Sequence, residues 1–143
     1  MVFTKSIKLR SHNPALKLMD ITPRVEKIVK SSKIKNGQVL VFARHTTAAI
    51  LLQENEPRLH RDLHKFLQRI APKDGEYEHS KAPDHIADGM PNGHSHCHNV
   101  VLGASEVVPL SRGRLLLGTY QRLFLAELDR IRNREVVVQV MGQ

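Results

Sequence analysis

An α+β fold with a largely antiparallel sheet system is what the sequence predicts, and three observations carry it. Two stretches of helical periodicity fall in the first half of the chain. Several short runs alternate with the period of a strand. The late runs are joined by turns too short to hold crossover helices. At 143 residues, with 41% hydrophobic and 25% charged side chains, the sequence is sized for one domain, 1–143, with a buried core.

Residues 2–10 alternate loosely, with Phe3, Ile7 and Leu9 on one side and Thr4, Ser6, Lys8 and Arg10 on the other. This is the pattern of a half-buried strand. A loop follows through Asn13-Pro14. Asp20-Ile21-Thr22-Pro23 starts a helix: Thr22 is placed to cap it, and Pro23 suits the first helical position, where an N–H has no partner anyway. Val25, Ile28 and Val29 form its buried stripe, and Asn36-Gly37 stops the unit. Residues 38–43 read as a strand with Val39, Val41 and Ala43 facing one way and His45 in the same phase. Thr46 and Thr47 follow, and 48–52 resumes as an apolar strand.

Glu54-Asn55-Glu56-Pro57 opens a second helix whose stripe is Leu59, Leu63, Phe66, Leu67 and Ile70. Asp62 lies beside that stripe, and His60 and His64 fall on the solvent side. Residues 71–91 are long and polar, with Pro72, Gly75, Pro83, Gly89 and Pro91 and acids at 74, 76, 78, 84 and 88. A loop of that length in a compact domain is functional or disordered. It ends at a histidine run, so it reads as a loop folding over a site.

The run is Asn92-Gly93-His94-Ser95-His96-Cys97-His98. Asn-Gly is a turn dipeptide, and the Val-rich residues that follow predict a strand continuing to 108, with a bulge at Gly103 and an end at Pro109. On an extended chain His94, His96 and His98 share one face, neighbours lying roughly 6–7 Å apart, close enough to converge on one metal ion or one anion. Ser95 and Cys97 take the other face, Cys97 as a small buried hydrophobe. Ser111-Arg112-Gly113 is a turn, 115–121 and 122–128 are strands, and 135–141 is the last strand.

Composition narrows the function. The formal charge is +8, from 22 basic and 14 acidic residues, which invites an anionic partner. The basic residues are scattered, aromatics are 4% and Trp is absent, so platforms for stacking nucleobases are scarce and nucleic acid is not the expected partner. A phosphorylated small molecule is. A single cysteine, no apolar run long enough for a bilayer and no signal-peptide core predict a soluble cytoplasmic protein.

His45, His79, His94 and His96 are the candidate metal ligands, because neutral imidazoles from separate segments with a position left open make a catalytic zinc-type site. Glu54 and Asp62 are the acids placed to orient such ligands or to act as a general base, with His45 in the catalytic group beside them. Arg44, Lys81, Arg112 and Arg114 could meet a phosphate.

The motifs His45-Thr46-Thr47-Ala48-Ala49-Ile50, Glu54-Asn55-Glu56, Asp62, Tyr77 with His79, Asn92-Gly93-His94-Ser95-His96, Gly103-Ala104-Ser105-Glu106 and Gly118-Thr119-Tyr120-Gln121 occur in this order. The sequence thereby resembles the YjbQ family, also called secondary thiamine-phosphate synthases, over nearly its whole length. The resemblance implies a compact α+β sandwich, a homotrimer, and a His-lined site near subunit contacts; the imidazoles and the charge of a leaving pyrophosphate suggest a divalent metal ion, zinc or magnesium, as the cofactor. It also implies a weak transferase activity that joins a pyrimidine methyl pyrophosphate to a thiazole phosphate. The sequence departs from the family pattern at Tyr120, where Trp is usual, at Arg130-Ile131, where Gly-Pro is usual, and at Cys97 and His98, which are given no role in the site. A metal-dependent phosphate-ester hydrolase and a non-enzymatic metal- or anion-binding module are the alternatives.

Overall fold

The computed structural model describes residues 1–11 and 17–143. In chain order the elements are β1 (Val2–Arg10), β2 (Lys17–Asp20), α1 (Thr22–Ser32), β3 (Gly37–Ala43), β4 (Ala48–Gln53), α2 (Pro57–Ile70), a 3-10 turn (Glu78–Lys81), α3 (Pro83–Asp88), α4 (Gly93–Leu102), β5 (Ser105–Ser111), β6 (Arg114–Leu115), β7 (Arg122–Glu127) and β8 (Asn133–Gly142). The expected loop at Asn13-Pro14 lies outside the described residues.

Among the described residues, every strand pair is antiparallel, in a five-stranded sheet ordered β1-β8-β3-β5-β6 and a three-stranded sheet ordered β2-β7-β4. The two sheets face each other across one core. Val39, Val41, Val136, Val138 and Val140 of the large sheet meet Ala48, Ile50, Leu123 and Leu125 of the small one, and Val25, Ile28 and Val29 of α1 join them. The outer face of the small sheet, through Ala49, Ala126 and Leu128, is covered by Leu67 of α2 and Leu102 of α4. β7 is thus buried on both faces, its odd residues toward the other sheet and its even residues toward the helices. The expected α+β antiparallel sandwich is what forms.

Two of the places where the chain passes between the sheets are residues 44–47, from β3 to β4, and 128–132, from β7 to β8. Both crossings lie at the same end of the sandwich, tied by a buried ion pair. Glu127, fully buried, and Arg134, 5% exposed, belong to opposite sheets and bond to each other directly. Arg134 also donates to the carbonyl and hydroxyl of Thr47, at 3.1 and 3.0 Å. Glu127 accepts from Ser11 Oγ at 2.6 Å and from the amides of Leu128 and Asp129 at 3.1 and 3.2 Å. Every charge in the cluster therefore has partners, the condition under which burying an ion pair is tolerable.

Several elements differ from expectation. α4 replaces the expected His-rich strand, and strand structure starts again only at Ser105. Three side chains at helical spacing explain this. Ser95 donates to Leu128 O at 2.7 Å, His98 Nε2 to Leu67 O and Ala71 O at 2.9 and 2.8 Å, and Asn99 to Ala48 O at 2.7 Å. Anchored polar groups at i, i+3 and i+4 outweigh the strand preference of Val100 and Val101, which are left exposed. Cys97 is exposed rather than buried, because the helix turns it away from that anchored face.

Pro109 does not end its strand. It sits inside β5 opposite Gln38, and its carbonyl accepts from Leu116 N. Of 115–121 only Leu115 is strand, paired through Arg114–Leu115 with β5. Segment 71–91 is not one loop but holds the 3-10 turn and α3. At α1, Thr22 does not cap. Asp20 Oδ1 accepts from Thr22 N at 2.9 Å, while the Thr22 hydroxyl accepts from Leu123 N at 2.8 Å. α2 is rotated from its expected stripe: Leu67 is buried and His60 is half-buried with its ring edge on Phe124 at 5.5 Å, whereas Phe66 and Ile70 are exposed. His60 and His64 are half-buried rather than on the solvent side, His60 because its ring packs on Phe124.

Replacing one member of the buried pair leaves an uncompensated charge. Arg134→Met is expected to destabilise the protein by about 3–5 kcal/mol, and the double replacement Glu127→Met/Arg134→Met to recover most of that loss. Urea denaturation of the single and double variants checks this; equal losses in both would contradict it.

Candidate functional site

A cleft of about 340 Å³ opens beside the two crossings. Thr46 and Thr47 come from one crossing and Arg130 and Arg132 from the other. His96 comes from α4, and the 3-10 turn and α3 supply His79, His85 and Asp88. The local sequence explains the placement. Tyr77 packs its ring on Gly93, where an added Cβ would come within 2.5 Å of Tyr77 Cβ, and its hydroxyl donates to Pro72 O at 2.6 Å. That contact pins the 3-10 turn against the start of α4. Pro83 then opens α3, and His85 turns back into the protein at 7% exposure.

Three imidazoles converge. The rings of His79 and His96, and of His79 and His85, are 4.6 Å apart between centroids and nearly perpendicular. His85 Nε2 and His79 Nε2 are 3.1 Å apart, so one of them carries the shared hydrogen. Burial, then the neighbouring His79, holds His96 below the ordinary histidine value, so its ring is neutral and has a lone pair to offer. Two buried polar atoms in the cleft have no hydrogen-bond partner, His85 Nδ1 and Asn92 Oδ1.

The charges at the rim are organised. Asp88 is held low by the backbone amide of Met90 and by Arg130, whose Nη2 lies 3.5 Å from the carboxylate. Asp129 accepts from Asn92 Nδ2 at 3.0 Å and from Arg132 Nε at 3.1 Å.

The expected four-histidine cluster is corrected. His79 and His96 meet, but His94 and His45 do not join them. His94 is on the opposite side of α4 from His96, buried with its ring 5.6 Å from His98 and 3.3 Å from Ser95 Oγ. His45 Nε2 accepts from the backbone amide of Glu135 at 2.8 Å, which leaves its proton on Nδ1 and places it in the neighbouring depression.

The two expected acids are elsewhere too. Glu54 precedes α2, where Glu56 rather than Glu54 caps the helix by accepting from Leu59 N at 2.7 Å, and its own carbonyl faces His60. Asp62 is exposed on α2. The acids of the cleft are Asp84 and Asp88. Sequence reading missed His85, Asp88, Asn92 and both arginines. The available signals were the Pro83-Asp84-His85 helix start and the Arg130-Ile131 departure in the turn.

Among the described residues, no three His, Cys, Asp or Glu side chains are arranged to hold a metal ion. As placed, the imidazoles do not fit the expected metal, since His79 and His85 use Nε2 on each other.

Fold and site together define an α+β sandwich with an imidazole-lined, guanidinium-rimmed cleft where the chain crosses between its sheets. The chain belongs to the YjbQ family: a family model described as UPF0047 protein YjbQ-like matches residues 5–143. A UPF0047 protein of Methanothermobacter thermautotrophicus is 42% identical over 142 residues, covering 99% of this chain and 94% of that protein. The UPF0047 protein YjbQ of Escherichia coli O157:H7 is 33% identical over 114 residues, covering 78% of each. Among solved structures, a YbjQ-like protein of unknown function from Sulfolobus solfataricus P2 superposes with a TM-score of 0.91 at 35% identity, covering 100% of this chain and 99% of that one. A hypothetical protein from Aeropyrum pernix K1 gives 0.88 at 33%, covering 99% of each chain. Among the described residues no helix is long and apolar enough to cross a membrane.

His45, His94 and His96 are all held below the ordinary histidine value, chiefly by burial. The unfolded chain therefore takes up protons first as pH falls. Stability present above the unfolded value of about 6.5 is lost as pH drops from there through the lower folded values. Thermal melts at pH 7.5 and 5.0 should show a falling Tm, with a smaller fall in His94→Gln; a flat profile would contradict the assignment.

Proposed function

We propose that the cleft binds a phosphorylated small molecule in the cytoplasm and carries the transferase chemistry that the family resemblance implies, joining a pyrimidine methyl pyrophosphate to a thiazole phosphate. One observation carries the reading: neutral His96 and its two neighbouring imidazoles share a cleft with two guanidinium groups. In the reaction the carbon–oxygen bond to pyrophosphate breaks and its electron pair leaves with the oxygen. The thiazole nitrogen supplies the pair for the new C–N bond. Arg130 and Arg132 are placed to neutralise the departing phosphates, and an imidazole is placed to share a hydrogen bond with them.

The unpartnered His85 Nδ1 and Asn92 Oδ1 favour a second reading. A ligand that brings hydrogen-bond donors, such as a protonated phosphate ester held there without turnover, would satisfy the amide oxygen and the ring nitrogen.

The homotrimer that the resemblance implies has a surface to use. The outer face of the large sheet carries Phe42 at 40% and Val107 at 50% exposure, next to Leu40 and Val137 in the strand register. An uncovered apolar sheet face of this kind favours self-association.

The substrate test is a panel of the two thiamine precursors and simple phosphate monoesters, with and without Mg²⁺ or Zn²⁺. Wild type should form the coupled product, and His96→Ala should lower its rate by about 10²-fold, as loss of a proton-sharing group does. Product from neither substrate class, with saturable ligand or metal binding, would replace the transferase with the binding module. Phosphate release from monoesters alone would replace it with the hydrolase. For assembly, light scattering should report a trimer, and Phe42→Asp/Val107→Asp should report a monomer; an unchanged mass would remove this face from the interface.

A further inference from the structure

A second cleft, of about 570 Å³, lies between the C-terminal half of α1 and the β5–β6 hairpin and shares no lining residue with the histidine cleft. Lys30, Lys35, Arg112 and Arg114 line it, against the single acid Glu26. Among the described residues none of the four cations forms an ion pair with a carboxylate. Beneath the cations is an apolar floor of Val29, Ile34 and Leu115. Four like charges without carboxylate partners around one concavity raise the local positive potential, which a bound anion lowers.

The backbone holds the charges in place at a cost. Arg112 and Gly113 have φ of 50° and 76°, the left-handed pair of a type I′ hairpin turn. The first of those positions favours Asn, Asp or Gly, and arginine there is strained. The turn is locked by Gly113 N donating to Lys35 O at 2.8 Å and Arg112 N donating to Asn36 Oδ1 at 3.1 Å. A Cβ added at Gly113 would lie 3.5 Å from Lys35 Nζ, so the ammonium lies over the turn. A strained arginine, an ammonium folded over the same turn and cations without a carboxylate partner are three features of one concavity.

We infer that this cleft binds an organic di- or triphosphate, its phosphates on the four cations and its organic part on the apolar floor. A single phosphate is too small to reach four cations spread around a concavity of this size, which falls in the range of small-molecule sites. A nucleic-acid strand would need an extended groove with aromatic platforms, and no Phe, Tyr or Trp lines this cleft.

The test is calorimetric titration of the full chain with sodium tripolyphosphate and with a nucleoside triphosphate. Saturable binding is expected, tighter for the nucleotide, and weakened about tenfold or more by Lys30→Gln or Arg114→Gln, the loss of one charge-assisted hydrogen bond. Arg112→Gly separates binding from folding, since it should weaken binding while raising Tm by relieving the strained turn. Absence of saturable binding overturns the inference. So does binding that survives these variants and is lost in His96→Ala, which would assign it to the histidine cleft. Binding of single-stranded RNA with none of either phosphate probe overturns it in favour of a nucleic-acid surface.

Discussion

The fold hangs on the pairing of Glu127 with Arg134. Each is the inward residue of its strand at the end where the valine and leucine core runs out, and each belongs to a different sheet. A carboxylate buried this completely must be surrounded by donors, and those donors are Ser11, Leu128, Asp129 and the guanidinium. Satisfying the pair therefore fixes the conformation of both crossings. It fixes Thr47 through the second set of arginine bonds. The cleft is made of the side chains that these same backbone segments send outward, so its position is a by-product of solving the buried charge problem.

α4 extends that scaffold. Ser95 bonds the carbonyl of Leu128, at the return crossing, and Asn99 bonds that of Ala48, just after the outgoing one. His98 bonds the carbonyls of Leu67 and Ala71 at the end of α2. With one side of the helix committed to these contacts, His96 is left facing the cleft while His94 is buried behind it. Adjacent imidazoles in sequence thus acquire different surroundings: one accessible and neutral beside guanidinium groups, the other enclosed against Tyr77 and His98.

How much of this the sequence discloses depends on what carries each element. Strands β1, β3, β4, β7 and β8 and the stripe of α1 announce themselves because apolar periodicity and burial coincide there. α4 does not, because its inward face is Ser95, His98 and Asn99, and hydrogen bonds to distant carbonyls leave no hydrophobic period. The rotation of α2 is hidden for a related reason: His60 packs against Phe124, a preference that depends on the shape of the sheet below. His79 and His96 were legible as site residues from their motifs. His85, Asp88 and the arginines were not, since Pro83-Asp84-His85 lies in a stretch whose polarity suggested a loop, and an exposed-looking turn gives no sign that Arg130 reaches Asp88.

The register of β1 against β8 pairs Val2 with Met141 and Arg10 with Asn133, almost the full length of the chain apart. Few contacts in this molecule could span more sequence, and contacts of this kind are formed slowly because so long a segment must be closed before they are rewarded. During synthesis β1 is made well before β8 and stays without that neighbour until β8 follows. Its hydrogen-bonding edge is open for that whole interval, and Lys5, Lys8 and Arg10 along it supply the charge that keeps a waiting strand from pairing with another chain.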